Sequence, residues 1–163
     1  MSSATASPQI VPFDLEATPP EELVPGLTFQ WLFNRQAILF IATNSSRAVT
    51  DAWVGKVLTV AKEWPPEQPF FVINDFSCKE CVQTPYGRAR SRELMDNKMN
   101  LKSVNVTVLQ NNLSMQLSRL FVRAIQRPNF RIHLTFSRKE GLIWLKKQVD
   151  EYRTQIKNQG KIA

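Results

Sequence analysis

Apolar residues fill Phe70-Phe71-Val72-Ile73 and return at Phe76, with Pro69 before them and Asn74-Asp75 inside the run. A short, nearly continuous apolar run bounded by turn residues predicts a strand buried on both faces of a parallel sheet, and therefore its central strand. In such a sheet ligands and partners gather at the carboxyl ends of the strands. Asp75 and the loop from Ser77 to Tyr86 are thus the expected working edge.

Upstream, Gly26 to Phe33 alternates, with Leu27, Phe29, Trp31 and Phe33 on one side and Thr28 and Gln30 on the other. That is the period of a half-buried strand. Asn34-Arg35-Gln36 turns it into Ala37 to Ala42, and the two strands are expected to pair as an antiparallel hairpin. Thr50 is the expected cap of a helix whose apolar Trp53, Val57, Val60, Ala61 and Trp64 share a face and which Pro65-Pro66 ends.

After the central strand, Thr84-Pro85 supplies a cap and a favoured first residue for a second helix towards Met99. Its apolar face, Ala89, Leu94, Met95 and Met99, is thin, and Arg88, Arg90, Arg92 and Lys98 crowd the rest. Val104 to Leu109 reads as a strand, and Asn111-Asn112 opens a third helix with Leu113, Leu117, Leu120, Phe121 and Ala124 on its core face. Arg127-Pro128 stops it. Phe130 to Phe136 is the last strand, and Ser137-Arg138-Lys139-Glu140 forms a capping box before a helix bearing Leu142, Leu145, Val149, Tyr152 and Ile156.

The predicted class is α/β, with a mixed, mostly parallel sheet of about five strands: an N-terminal hairpin, then helix and strand in alternation. Only the first edge strand is expected to run against the others. Residues 26–157 form the domain and 158–163 a tail. Residues 1–25, rich in Ser, Ala, Thr, Pro and Glu, read as an extended or flexible arm that docks through Ile10, Val11, Phe13 and Leu15.

At 163 residues and 43% hydrophobic content, the chain fits one soluble domain with its own core. No apolar run approaches the roughly 20 residues of a membrane span. The first residues lack a basic start followed by an apolar segment, so a cytoplasmic location is expected. The net charge of +7, from 21 Lys and Arg against 14 Asp and Glu, favours an anionic partner: phosphoprotein, nucleic acid or acidic lipid.

Two Cys do not make a disulfide framework. Cys78-Lys79-Glu80-Cys81 has the spacing of a dithiol redox pair, but the helix that would activate its first thiol starts later, at Thr84-Pro85. Two loop thiols are the favoured reading. With His133, the only His, they give three zinc ligands at most, and His133 sits inside a strand, so neither metal nor cofactor is expected. Asp75 either caps the loop after its strand, the favoured reading, or binds an ion or polarises a hydroxyl. Arg119, Arg123 and Arg127, four apart, form a candidate basic patch with Arg88 and Arg92. No recognition-helix pattern or exposed aromatic ladder accompanies it, so specific nucleic-acid reading is not expected.

Three stretches, Phe70 to Ser77, Ser103 to Pro128 and Phe130 to Leu145, together with the order of elements, resemble the STAS superfamily. These are the anti-anti-sigma-factor-like domains, and the likeness is to an uncharacterised bacterial cytoplasmic branch of them. The resemblance covers about residues 26 to 153, and its stretches encode packing and capping more than chemistry. It implies a non-enzymatic signalling module that docks a protein partner through the second helix and the loop before it. Asp75, Ser77, Thr84, Tyr86 and Arg88 are the residues so implied. In the anti-anti-sigma branch a hydroxyl residue at the start of that helix is phosphorylated. Here Thr84-Pro85-Tyr86-Gly87 keeps the Gly, but Pro85 and Tyr86 replace the hydroxyl residues, which makes the switch degenerate at best. The wider superfamily neighbourhood implies the alternative of a small-molecule or lipid-binding domain, which an enclosed apolar pocket between sheet and helices would distinguish. A homodimer is left open.

Overall fold

The computed structural model describes residues 15–97, 101–112, 122 and 128–160. The strands are β1 (Glu21–Val24), β2 (Leu27–Leu32), β3 (Ala37–Ala42), β4 (Phe70–Asp75), β5 (Ser103–Val108) and β6 (Phe130–Thr135). The helices among the described residues are α1 (Arg47–Glu63), α2 (Pro85–Asn97) and α3 (Arg138–Gln159). The helix expected after Asn111-Asn112 lies outside the described residues, apart from Val122, as do Arg119, Arg123, Arg127 and Met99.

One six-stranded sheet runs in the order β1-β2-β3-β4-β5-β6. The β1–β2 and β2–β3 pairs are antiparallel, while β3, β4, β5 and β6 are mutually parallel. The expected hairpin is present, with Leu27 opposite Ala42 and Leu32 opposite Ala37. The sheet has six strands rather than about five, because Glu21–Val24 adds a strand outside β2. β2 is therefore not an edge. That short strand falls in the stretch read as an arm, and Leu15, just before it, is buried.

Every residue of β4 is buried, as its apolar run requires of a central strand. Alternate residues build two cores. Phe70 and Val72 join Phe29, Ile38, Phe40 and the α1 residues Val54 and Val57 on one face of the sheet. Phe71 and Ile73 join Leu39, Val106 and the α3 residues Leu142, Leu145 and Val149 on the other.

Two caps differ from expectation. Ser46, not Thr50, caps α1 by accepting from the Val49 amide (3.3 Å), and Thr50 is buried one turn in. At α3 the Ser137 hydroxyl accepts from the Glu140 amide (3.3 Å), as a capping box requires. Glu140 does not reach back to Ser137. The Ser137 amide donates to the Thr135 hydroxyl (3.2 Å), which donates to the Glu140 carboxylate (3.0 Å), so Thr135 relays the second half of the box.

Candidate functional site

Beyond Val72 on the α1 side of β4 the next inward residue is Asn74, 2% exposed, and on β5 the matching positions are Asn105 and Thr107. Amides in a buried sheet face must find partners. The Trp53 indole N–H, from α1, donates to Asn74 Oδ1 (2.8 Å). Asn74 Nδ2 donates to Asn105 Oδ1 (3.2 Å), which also accepts from the Thr107 hydroxyl (3.3 Å). The chain of bonds fixes both amides.

Above this row lies a cavity of about 210 Å³, between β4, β5 and β6, helices α1 and α2, and the loop joining β4 to α2. Val49, Trp53, Phe76, Leu94, Leu109 and Ile132 give it apolar walls, and Thr84, Arg88, Ser91 and Met95 bring α2 to its margin. On β4 and β5 it reaches the carboxyl ends, where the sheet architecture favours ligand sites, and on β6 it is bounded by Phe130 and Ile132 in the first half of the strand.

The β4–α2 loop is tied down at several points. The Ser45 hydroxyl accepts from the Val82 amide (2.6 Å) and donates to the Glu80 carbonyl (3.2 Å). The Gln110 side-chain amide donates to the carbonyls of Cys78 and Cys81. The Thr84 hydroxyl accepts from the Gly87 amide (2.9 Å), so Thr84 is the helix cap that its position before Pro85 predicts.

The sequence candidates fall into three places. Asp75 is 1% exposed and faces α3, where its carboxylate pairs with Arg138 and accepts from the Ser77 amide (2.9 Å) and hydroxyl (2.5 Å). It caps the loop and anchors α3. Tyr86 turns to α1: its hydroxyl donates to Asp51 (2.6 Å), the carboxylate that also accepts from Arg90 (3.1 Å), and Arg47 lies over its ring at 5.0 Å. The Asp51 hydrogen bond holds the Tyr86 phenol above its ordinary pKa. Thr84 and Arg88 alone of the five reach the cavity. Arg92 is exposed on α2. Leu94 of the thin apolar face is buried in the core.

Cys78 and Cys81 are free thiols. Cys81 is buried, donates to the Ala42 carbonyl (3.3 Å), and has its pKa pushed up to about 12, first by burial and then by the nearby Cys78, Asp75 and Glu80. A thiol so placed is not a nucleophile at neutral pH. His133 lies on the α3 side of the sheet, stacked on Trp144 with centroids 4.4 Å apart, and burial followed by Arg131 lowers its pKa. Among the described residues no three His, Cys, Asp or Glu side chains are grouped to hold a metal, and no helix is long and apolar enough to cross a membrane.

Trp53, Asn74, Asn105 and Thr107 were not among the sequence candidates. Their one signal is the asparagine inside each of two adjacent strands, Asn74 in the buried Phe70–Asp75 and Asn105 in the half-buried Ser103–Val108. No family model matches the chain, and no curated protein or solved structure matches it.

Proposed function

We propose that this chain is a non-enzymatic, cytoplasmic module that binds a small molecule in the cleft between its sheet and α1–α2. The observation that carries this reading is the cavity of about 210 Å³ with apolar walls and a floor of anchored amides. A site with apolar walls and a few fixed polar groups is the usual form of a ligand pocket. Among the described residues its lining holds no carboxylate, imidazole or ammonium group, and its one thiol stays protonated. Such a lining suits binding better than acid–base or nucleophilic chemistry.

Native mass spectrometry of protein purified from its own cells, followed by denaturation, tests the reading. A bound mass that denaturation releases is expected, and Ser91→Phe, which puts a ring into the cavity from α2, should abolish it. A bare native mass, together with no saturable binding of small aromatic probes, would overturn it.

A second reading, the STAS-like docking module, is favoured by Val82, which is 60% exposed in the loop before α2. An apolar residue at that position adds contact area for a protein partner beside Thr84 and Arg88. Phosphate on Thr84 would sit at a helix N-terminus near an arginine, a stabilising place for a dianion. The same mass measurement reads it as one covalent phosphate on the peptide from Ser77 to Tyr86. Its absence from protein taken from signalling-active cells would count against a switch.

A further inference from the structure

We infer that the ligand of this cavity is a small organic monoanion: an apolar body about the size of one aromatic ring, carrying a carboxylate that Arg88 and Asn105 receive. The inference rests on the small-molecule reading above and adds the ligand's charge and shape.

Charge comes first. Arg88 is the only charged side chain among the described residues that line the cavity. Its guanidinium has no hydrogen-bond or ion-pair partner among the described residues, and the other arginines make clear how unusual that is. Arg90 pairs with Asp51 and Glu93, Arg138 with Asp75, and Arg153 with Glu16. Arg131 donates to Gln148 (2.9 Å), and Arg35 and Arg47 lie over the rings of Trp31 and Tyr86. A half-buried guanidinium carries five N–H donors in a planar fork, the shape that fits a carboxylate. Beside these six partnered arginines, Arg88 at the margin of an apolar cavity is matched by what enters it.

Polarity comes second. Asn105 Oδ1 accepts from both Asn74 Nδ2 and the Thr107 hydroxyl, so the amide nitrogen is the end of Asn105 left without a partner among the described residues. Asn74 Oδ1 is in turn held by the Trp53 indole. The row therefore offers the cavity the Asn105 NH₂ as a donor, with the Thr107 hydroxyl oxygen beside it. An NH₂ donor on the floor and a guanidinium on the wall both select ligand oxygen lone pairs.

Size and shape come third. A cavity of about 210 Å³ is somewhat larger than the roughly 150 Å³ site that holds benzene. One ring or a short alkyl chain with its head group fills it. A single cation and no bound metal ligand set among the described residues suit one negative charge better than two.

The test compares matched probes by calorimetry or ligand-observed NMR: phenylacetate, the isosteric neutral phenylacetamide, and toluene, on wild type and Arg88→Gln. Phenylacetate is expected to bind wild type about tenfold or more tightly than the amide, the scale of a charge-assisted pair. Arg88→Gln should remove that preference by weakening the acid far more than the amide, with an unaltered circular dichroism spectrum. Equal binding of acid and amide, or a preference that survives Arg88→Gln, overturns the anion assignment while the cavity reading stands. Failure of all three probes at millimolar concentration overturns both.

Discussion

Gly141→Ala and Gly55→Ala make the same change in two helices and should move stability in opposite directions. Gly141 is buried where α3 comes nearest the sheet, and a Cβ there would lie 2.9 Å from Val106 Cγ1, 3.1 Å from Ile73 Cδ1 and 3.3 Å from Thr135 Cγ2. These atoms belong to three adjacent strands, β5, β4 and β6. Val106 is fully buried and stiff about χ1, and Thr135 is fixed by its bonds to Glu140 and Ser137. The added methyl is accommodated only by lifting the first turn of α3. Overpacking of this kind costs about 1–3 kcal/mol, against about 0.5–1 kcal/mol gained by replacing a helical glycine. The expected net is a loss of about 1 kcal/mol, within about 0–2.5, or about 2–4 °C in Tm for a domain of this size. Gly55 is exposed on α1 with nothing within 4 Å of its Cβ position, so Ala there collects the helical gain alone, about 0.5–1 kcal/mol. Urea unfolding of the three proteins at equal slope measures both. A Gly141→Ala protein stabilised as much as Gly55→Ala would refute the close packing of α3 on the sheet.

Arg138→Ala should destabilise more than Asp75→Asn, about 2–4 against about 1–2 kcal/mol in urea unfolding, because it strands a carboxylate that is 2% exposed while Arg138 can hydrate where it stands. Equal losses would mean that the pair is not buried asymmetrically. Cys81, held up near 12 in the folded protein, ionises above its ordinary 9.0 only when unfolded. Its contribution to stability is therefore complete below pH 9 and lost as pH rises towards 12, at up to about 1.4 kcal/mol per pH unit. Cys81→Ala should flatten that alkaline limb, and thiol reagents at neutral pH should label Cys78 long before Cys81.

The elements were legible where the period was unambiguous. The alternation of Leu27, Phe29 and Trp31 and the unbroken Phe70 to Ile73 gave strands, although Phe33, past the strand end at φ 54°, packs in the opposite core, and Thr84-Pro85 marked the start of α2. β1 was not legible, because Glu21-Glu22-Leu23-Val24 is short and half charged, the composition of an edge strand and equally of a loop. The start of α1 was misplaced because Arg47-Ala48 opens it without an apolar signal, while Thr50 stands next to the first periodic residues. Asp75 was legible as a loop cap, but its pairing with Arg138 spans 63 residues and no local pattern encodes it. The cavity was illegible for the same reason: a void is set by where helices stop short, and a sequence records only what fills space.

That void follows from how differently the two faces of the sheet are covered. On the α3 side, Leu142, Leu145 and Val149 close on Phe71, Ile73, Val106 and Val108, and a glycine lets the helix touch the strands. On the other side, among the described residues, α1 covers the hairpin half, and α2 packs on α1 rather than flat on β4 and β5, with Leu94 its one buried residue. The hydrogen bonds of Tyr86 and Arg90 to Asp51 hold α2 in that position. The sheet beneath the gap changes character at the same level, from Phe70 and Val72 to Asn74 on β4, with Asn105 and Thr107 beside it. An apolar pair in place of the asparagines would extend the core without needing the indole of Trp53 as a partner. Polar side chains here, with both asparagine oxygens bonded from within the protein and the Asn105 nitrogen without a partner among the described residues, cost stability unless something meets them. Both faces carry a core, and among the described residues the gap on the α1–α2 side places donors where a ligand can reach them.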